Sequence, residues 1–191
     1  MTTDRERVGG VLAAQRPRRA DARRNFDALV AAAREAFTDK GADASLEDIA
    51  RQAGVGIGTL YRNFPTRRVL FETVYAEEVD ALCRLADELV DAEPWDGLAT
   101  WLRRFVDYTV TKRAIRDALN GESDIFIACR RAMLDAGEPL LDRARGAGAV
   151  RDDLTFDDLL RMVSGVSGAA YVDDAQRDRV LGFVLDGIRR R

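Results

Sequence analysis

The stretch GVGIGTLYRNFPTRRVL, Gly54 to Leu70, gathers hydrogen-bond donors and positive charge where a buried helix would carry leucine. Thr59, Tyr61, Arg62 and Asn63 bring hydroxyl, guanidinium and amide donors, and Arg67 and Arg68 add two cations at the start of the next apolar run. Such groups suit phosphate oxygens and base edges, and Gly56 and Gly58, on either side of Ile57, would let backbone approach a partner closely. The set is poor for a core and poor by helix propensity. A merely solvated polar face is the plain alternative.

Catalytic chemistry finds little support. The chain has no histidine, so Ser-His-Asp and Cys-His constellations are excluded. Cys83 and Cys129 show neither a CxxC nor a zinc spacing and read as reduced, packed thiols. Asp152, Asp153, Asp157 and Asp158 form the dense acidic group, better read as helix caps and solvated charge than as a metal or acid-base site. No enzyme activity, cofactor or metal is expected.

The elements that must position the donor-rich segment follow from periodicity. Of 191 residues, 47% are apolar, 33% charged and four are proline, a mixture favouring an all-α protein. Residues 1 to about 20, with Arg5, Arg7, Arg16, Arg18 and Arg19, show no sustained period and are predicted to be a flexible basic arm. Phe26, Leu29, Val30, Ala33 and Phe37 predict a first helix that Gly41 stops. Ser45 with Asp48 makes a capping pattern for a short second helix burying Leu46, Ile49, Ala50 and Ala53, and Gly54 permits the tight turn after it. A third helix, about 56 to 64, ends before Pro65, and Thr66 caps a long fourth that runs to about Val90. Further amphipathic helices are predicted at about 95 to 119, 123 to 146, 156 to 171 and 175 to 190.

Helix, glycine turn, helix is the spacing of a helix-turn-helix, with Ala50 small for the crossing and Val55 and Leu60 holding the pair against the first helix. Charge is distributed to match: residues 1 to 70 carry 13 basic and 9 acidic residues, and the remainder 17 and 24, within a net −3. The run SLEDIARQAGVGIGTLYRNFPTRRVLFETV resembles the TetR-type family of transcriptional regulators, through Gly58, Thr59, Leu60, Tyr61, Phe64 and Leu70. The resemblance covers about residues 22 to 80. It implies a three-helix DNA-binding head, residues 21–66, joined to a C-terminal helical dimerisation and effector domain, residues 67–191. It also implies that Ser45 and the first turn of its helix touch the DNA backbone, that Thr59 and its neighbours read bases, and that Tyr61, Asn63 and Arg67 hold phosphates; Gly56 and Gly58 around Ile57 leave few side chains to reach base edges, so much of the affinity is expected from phosphates, with Arg62 and Arg68 nearby, and from the arm. Asn63 stands where the family more often has histidine, and Arg67 where it usually has lysine. Arg23 and Arg24 extend the basic theme; the arm before them either enters a minor groove or is a solubilising tail.

For the C-terminal part, the same resemblance implies a homodimer and an effector pocket. Leu159, Val163, Val166, Val180, Leu181, Val184, Leu185 and Ile188 are expected at a four-helix dimer interface, against the alternative of an ordinary intrachain core. Trp101, Phe105, Tyr108, Phe126, Cys129, Arg130 and Met133 are candidates for a small-molecule pocket, although such residues are also ordinary core. Arg130 must meet a carboxylate or an anionic ligand if it points inward, and otherwise snorkels to solvent. The expected partners are therefore double-stranded operator DNA, a second copy and a small-molecule effector. An architectural or protein-interaction DNA-binding protein without effector is the rival reading. No apolar stretch approaches the roughly 20 residues of a membrane span, and reduced cysteines without a signal peptide suggest a cytoplasmic protein.

Overall fold

The stripe Phe26, Leu29, Val30, Ala33 and Phe37 is buried along one face of a helix that runs Ala20–Lys40, as its spacing predicts. The computed structural model describes residues 3–118 and 124–190. Among these the helices are α1 (Asp4–Gln15), α2 (Ala20–Lys40), α3 (Leu46–Gln52), α4 (Ile57–Asn63), α5 (Arg67–Glu88), α6 (Pro94–Ala118), α7 (Asp124–Gly146), α8 (Phe156–Ser167) and α9 (Asp174–Ile188). A 3-10 turn, Gly41–Asp43, follows α2. No described helix is long and apolar enough to cross a membrane.

The chain forms two compact units, Met1–Asp80 with Thr111–Cys129, and Ala81–Val110 with Arg130–Arg191. In the first, paired rings join elements distant in sequence. Phe26 meets Phe64 at 5.0 Å between centroids, Phe37 stacks on Phe71 at 4.0 Å, and Tyr75 meets Phe126 edge-on at 4.6 Å. Such contacts add about 0.5–1.5 kcal/mol each to area burial. Leu70, Phe71, Val74 and Tyr75 of α5 are all buried, so this core continues past residue 66 into that helix. Glu78, 4% exposed on the same helix, is held by Arg34 of α2 at 3.1 Å. A buried carboxylate requires such a partner.

The amino-terminal segment corrects an expectation: instead of a flexible arm, residues 4–15 form α1. Thr3 and Glu6 make a reciprocal capping box, and Val8 and Leu12, one turn apart, are buried. The Thr73 hydroxyl donates to Gln15, and Arg16 pairs with Asp27 at 2.7 Å. That hydrogen bond, opposed by partial desolvation and aided by the Asp27 charge, raises the Arg16 guanidinium pKa. Two buried residues next to Gly9 and Gly10 are too weak a period to read from sequence.

In the second unit the helix ends are satisfied individually. Arg143 donates to the carbonyls of Leu89 and Ala92 just past α5, at 3.0 and 2.7 Å, groups left without intrahelical partners. Thr155 and Asp158 form a capping box at α8, and Asp173 accepts from Gln176 at the start of α9. Near the carboxyl end, Arg151 donates to Ile188 and Arg190 to Ala149 through the backbone, closing a bridge between Val150 and Arg189.

Candidate nucleic-acid interface

Two apolar anchors and one glycine orient the donor-rich segment. Ser45 caps α3 by accepting from the Asp48 amide at 3.2 Å, and α3 buries Ile49 and Ala50. Gly54 then takes φ +69°, a left-handed conformation that costs other residues about 1–2 kcal/mol, and Val55 donates back to the Ala50 carbonyl at 3.0 Å. After this turn Leu60 and Phe64 are buried, which fixes the opposite side of α4 outward. This is a helix-turn-helix, with α4 as its second helix.

On that outer side Gly56, Ile57, Gly58, Tyr61 and Arg62 are exposed, whereas Thr59 and Asn63 are half-buried. The polar side chains engage one another along the helix. Arg62 donates through Nε to the Gly58 carbonyl and through a terminal nitrogen to Thr59 Oγ1, both at 3.1 Å, and Asn63 Nδ2 donates to the Thr59 carbonyl at 2.8 Å. Ser45 is half-buried, and Arg68, exposed, pairs with Glu72 at 2.9 Å. Arg23 and Arg24 are exposed in the first turn of α2, where Arg24 pairs with Asp21.

Arg67 departs from the expected phosphate clamp. Its guanidinium donates to the Ala44 carbonyl at 2.5 Å and lies over the stacked rings, 5.9 Å from the centre of Phe37 and 5.3 Å from that of Phe71. Ala44 is completely buried and immediately precedes the cap Ser45. A planar cation that stacks and donates at once is what arginine offers over lysine, so this residue ties the turn before α3 to α5. The departure from the family's usual lysine was the available signal.

The proposed pocket residues divide. Trp101, Phe105, Tyr108 and Met133 are buried in the second unit. Trp101 stacks on Phe105 at 5.7 Å, Phe105 meets Tyr108 at 5.4 Å, Trp101 meets Phe156 at 5.4 Å, and the indole donates to the Leu82 carbonyl at 3.0 Å. Phe126 and Cys129 belong to the first unit, where Phe126 packs on Tyr75. Arg130 does not turn inward: it is exposed and pairs with Asp157 at 2.6 Å. Arg161 pairs with the same carboxylate at 2.6 Å, and its hydrogen bond, assisted by both positive charges, holds the Asp157 pKa below the ordinary range.

The expected dimer residues divide as well. Leu159, Val163, Leu181, Leu185 and Ile188 are buried within their own chain, so they serve the intrachain core rather than an outward face. Val166, Val180 and Val184 are half-buried. The exposed apolar residues on α8 and α9 are Met162 and Phe183, the latter 71% exposed. The sequence reading missed both because it followed the more continuous stripe. The acidic group is spent in ion pairs, Asp152 with Arg190 and Asp153 with Arg151. Among the described residues, no group of three or more acidic or cysteine side chains could hold a metal ion.

Comparison with known proteins addresses both units. Residues 29–74 match the family model described as bacterial regulatory proteins, tetR family, and residues 93–190 match the C-terminal domain of SbtR-like transcriptional regulators. The structure is similar to a TetR transcriptional regulator, SCO0520, from Streptomyces coelicolor, with 40% identity, coverage of 85% of this chain and 97% of that one, and a TM-score of 0.75. A TetR regulatory protein from Mycobacterium vanbaalenii is similar at 31% identity over 91% and 100%, with a TM-score of 0.70. The HTH-type transcriptional regulator SAR0097 of Staphylococcus aureus is 31% identical over 100 residues, which span 49% of this chain and about half, 52%, of that protein.

Proposed function

This chain belongs to the TetR family of transcriptional regulators, and from that premise we propose that it binds near-palindromic operator DNA as a homodimer in the cytoplasm and represses by occupying a promoter. The observation that carries the reading is the outward side of α4. Leu60 and Phe64 anchor this seven-residue helix from behind, leaving Ile57, Tyr61 and Arg62 exposed where a major groove would receive them. Ser45, Tyr61, Asn63, Arg68, Arg23 and Arg24 supply backbone contacts; Arg67 acts behind them. A second copy docks on Met162, Val166, Phe183 and Val184, spacing two α4 helices by about 34–36 Å or somewhat more.

Release by a small molecule requires a ligand that binds two head spacings differently by about 1–3 kcal/mol. The packing of Trp101, Phe105 and Tyr108 against one another favours the second reading, a regulator without an effector in that aromatic array. Selection of bound duplexes from a random library at two salt concentrations tests the first reading. Enrichment of a near-palindrome is expected; salt-sensitive binding with no enriched sequence would replace it with architectural DNA binding.

A further inference from the structure

We infer that Ile57 reads the 5-methyl group of a thymine in each half-site, an inference that rests on the DNA-binding reading above. Ile57 is the first residue of α4 and 37% exposed, and Tyr61, one turn on along the same face, is 47% exposed. Its neighbours leave it standing alone: a β-carbon placed on Gly56 or Gly58 would meet nothing within 4 Å. Ile57 is thus a branched apolar side chain more than a third exposed between two positions that carry no side chain.

The side chains of Thr59, Arg62 and Asn63 around it are engaged within the helix. Thr59 Oγ1 accepts from Arg62, Arg62 also holds the Gly58 carbonyl, and Asn63 holds the Thr59 carbonyl. What this face presents outward beside them is the Ile57 side chain and the Tyr61 ring with its hydroxyl. In the major groove the apolar feature of the four base pairs is the thymine methyl, beside patterns of donors and acceptors. Ile57 therefore matches thymine by burying its side chain against that methyl, and the flanking glycines let the helix approach closely enough for contact.

Duplexes recovered by the selection above, with each thymine in turn replaced by deoxyuridine, test this with the full chain. The replacement removes one methyl group and preserves every hydrogen-bonding edge. One replacement in one half-site is expected to weaken binding about fourfold, the worth of one buried methyl-sized group. Ile57→Ala, an exposed position whose fold is checked by circular dichroism, is expected to lose at least that factor at each half-site of the thymine duplex and to bind thymine and uracil duplexes alike. Equal affinity of the unaltered chain for all deoxyuridine duplexes would overturn the inference, as would an Ile57→Ala variant that still discriminates between them. Failure to recover any enriched duplex would overturn the DNA-reading proposal beneath it, so the two failures are distinct.

Discussion

The two compact units use aromatic residues in opposite ways. In the first, Phe26–Phe64 and Phe37–Phe71 are separate pairs, each fastening a different element to α2. In the second, Phe156, Trp101, Phe105 and Tyr108 run on from ring to ring through the interior. Discrete anchors hold a short helix by one side and leave its other side free for a partner. A continuous array fills its own space, so the residues available to partners are the exposed ones on α8 and α9.

Breaking the continuous array should have the largest effect. A β-carbon on Gly137 of α7 would come within 2.2 Å of the Phe156 ring and 3.1 Å of Trp101. Gly137→Ala is therefore expected to destabilise the protein by about 1–3 kcal/mol through overpacking. Thermal unfolding reads this as a lower Tm; an unchanged Tm would mean that the Phe156 ring yields without penalty.

Arg67→Ala sharpens the contrast within the head. Losing the bond to Ala44 and the stacking on two rings should lower stability by about 1–2 kcal/mol, while the slope of log affinity against log salt stays unchanged. A slope reduced by about 1, with stability intact, would return Arg67 to the phosphates. Arg68→Ala is the matching control, expected to change the slope and barely the stability.

Phe183→Asp should matter less to the folded chain than to its assembly. The site is exposed, so monomer stability is expected to move by about 0.5 kcal/mol or less, whereas sedimentation should show dissociation. An intact dimer would place the interface away from α9. The smallest effect concerns Asp157. Its folded pKa lies below the unfolded value, so its contribution is present above the unfolded pKa and is lost as pH falls through the folded one. The Tm difference between the unaltered chain and Asp157→Asn should thus shrink between about pH 5 and pH 3; a constant difference would remove the charge from the account.

Legibility in the sequence followed the same division. The head was readable because each anchor occupies a fixed offset, Phe26 to Phe37 on α2, Leu60 on α4 and Phe64 at its end, and because Gly54 marks the turn. A cation beside two others suggests phosphate at Arg67, and only the rings beneath it show where its planar face is used. The α1 helix was hidden by Gly9 and Gly10. On α8 and α9, Leu159 and Leu185 follow an apolar stripe that fits an intrachain core as well as a dimer, and a periodicity cannot say which copy covers it. Arg130 was ambiguous until Asp157, far along the chain, was placed beside it.

Footprinting of the full chain on an enriched duplex locates α4 on the DNA. Guanine N7 methylation and hydroxyl-radical cleavage should show two protected major-groove patches on one side of the duplex, one helical turn or somewhat more apart. Continuous protection, or protection without involvement of guanine N7, would contradict α4 as the reading helix.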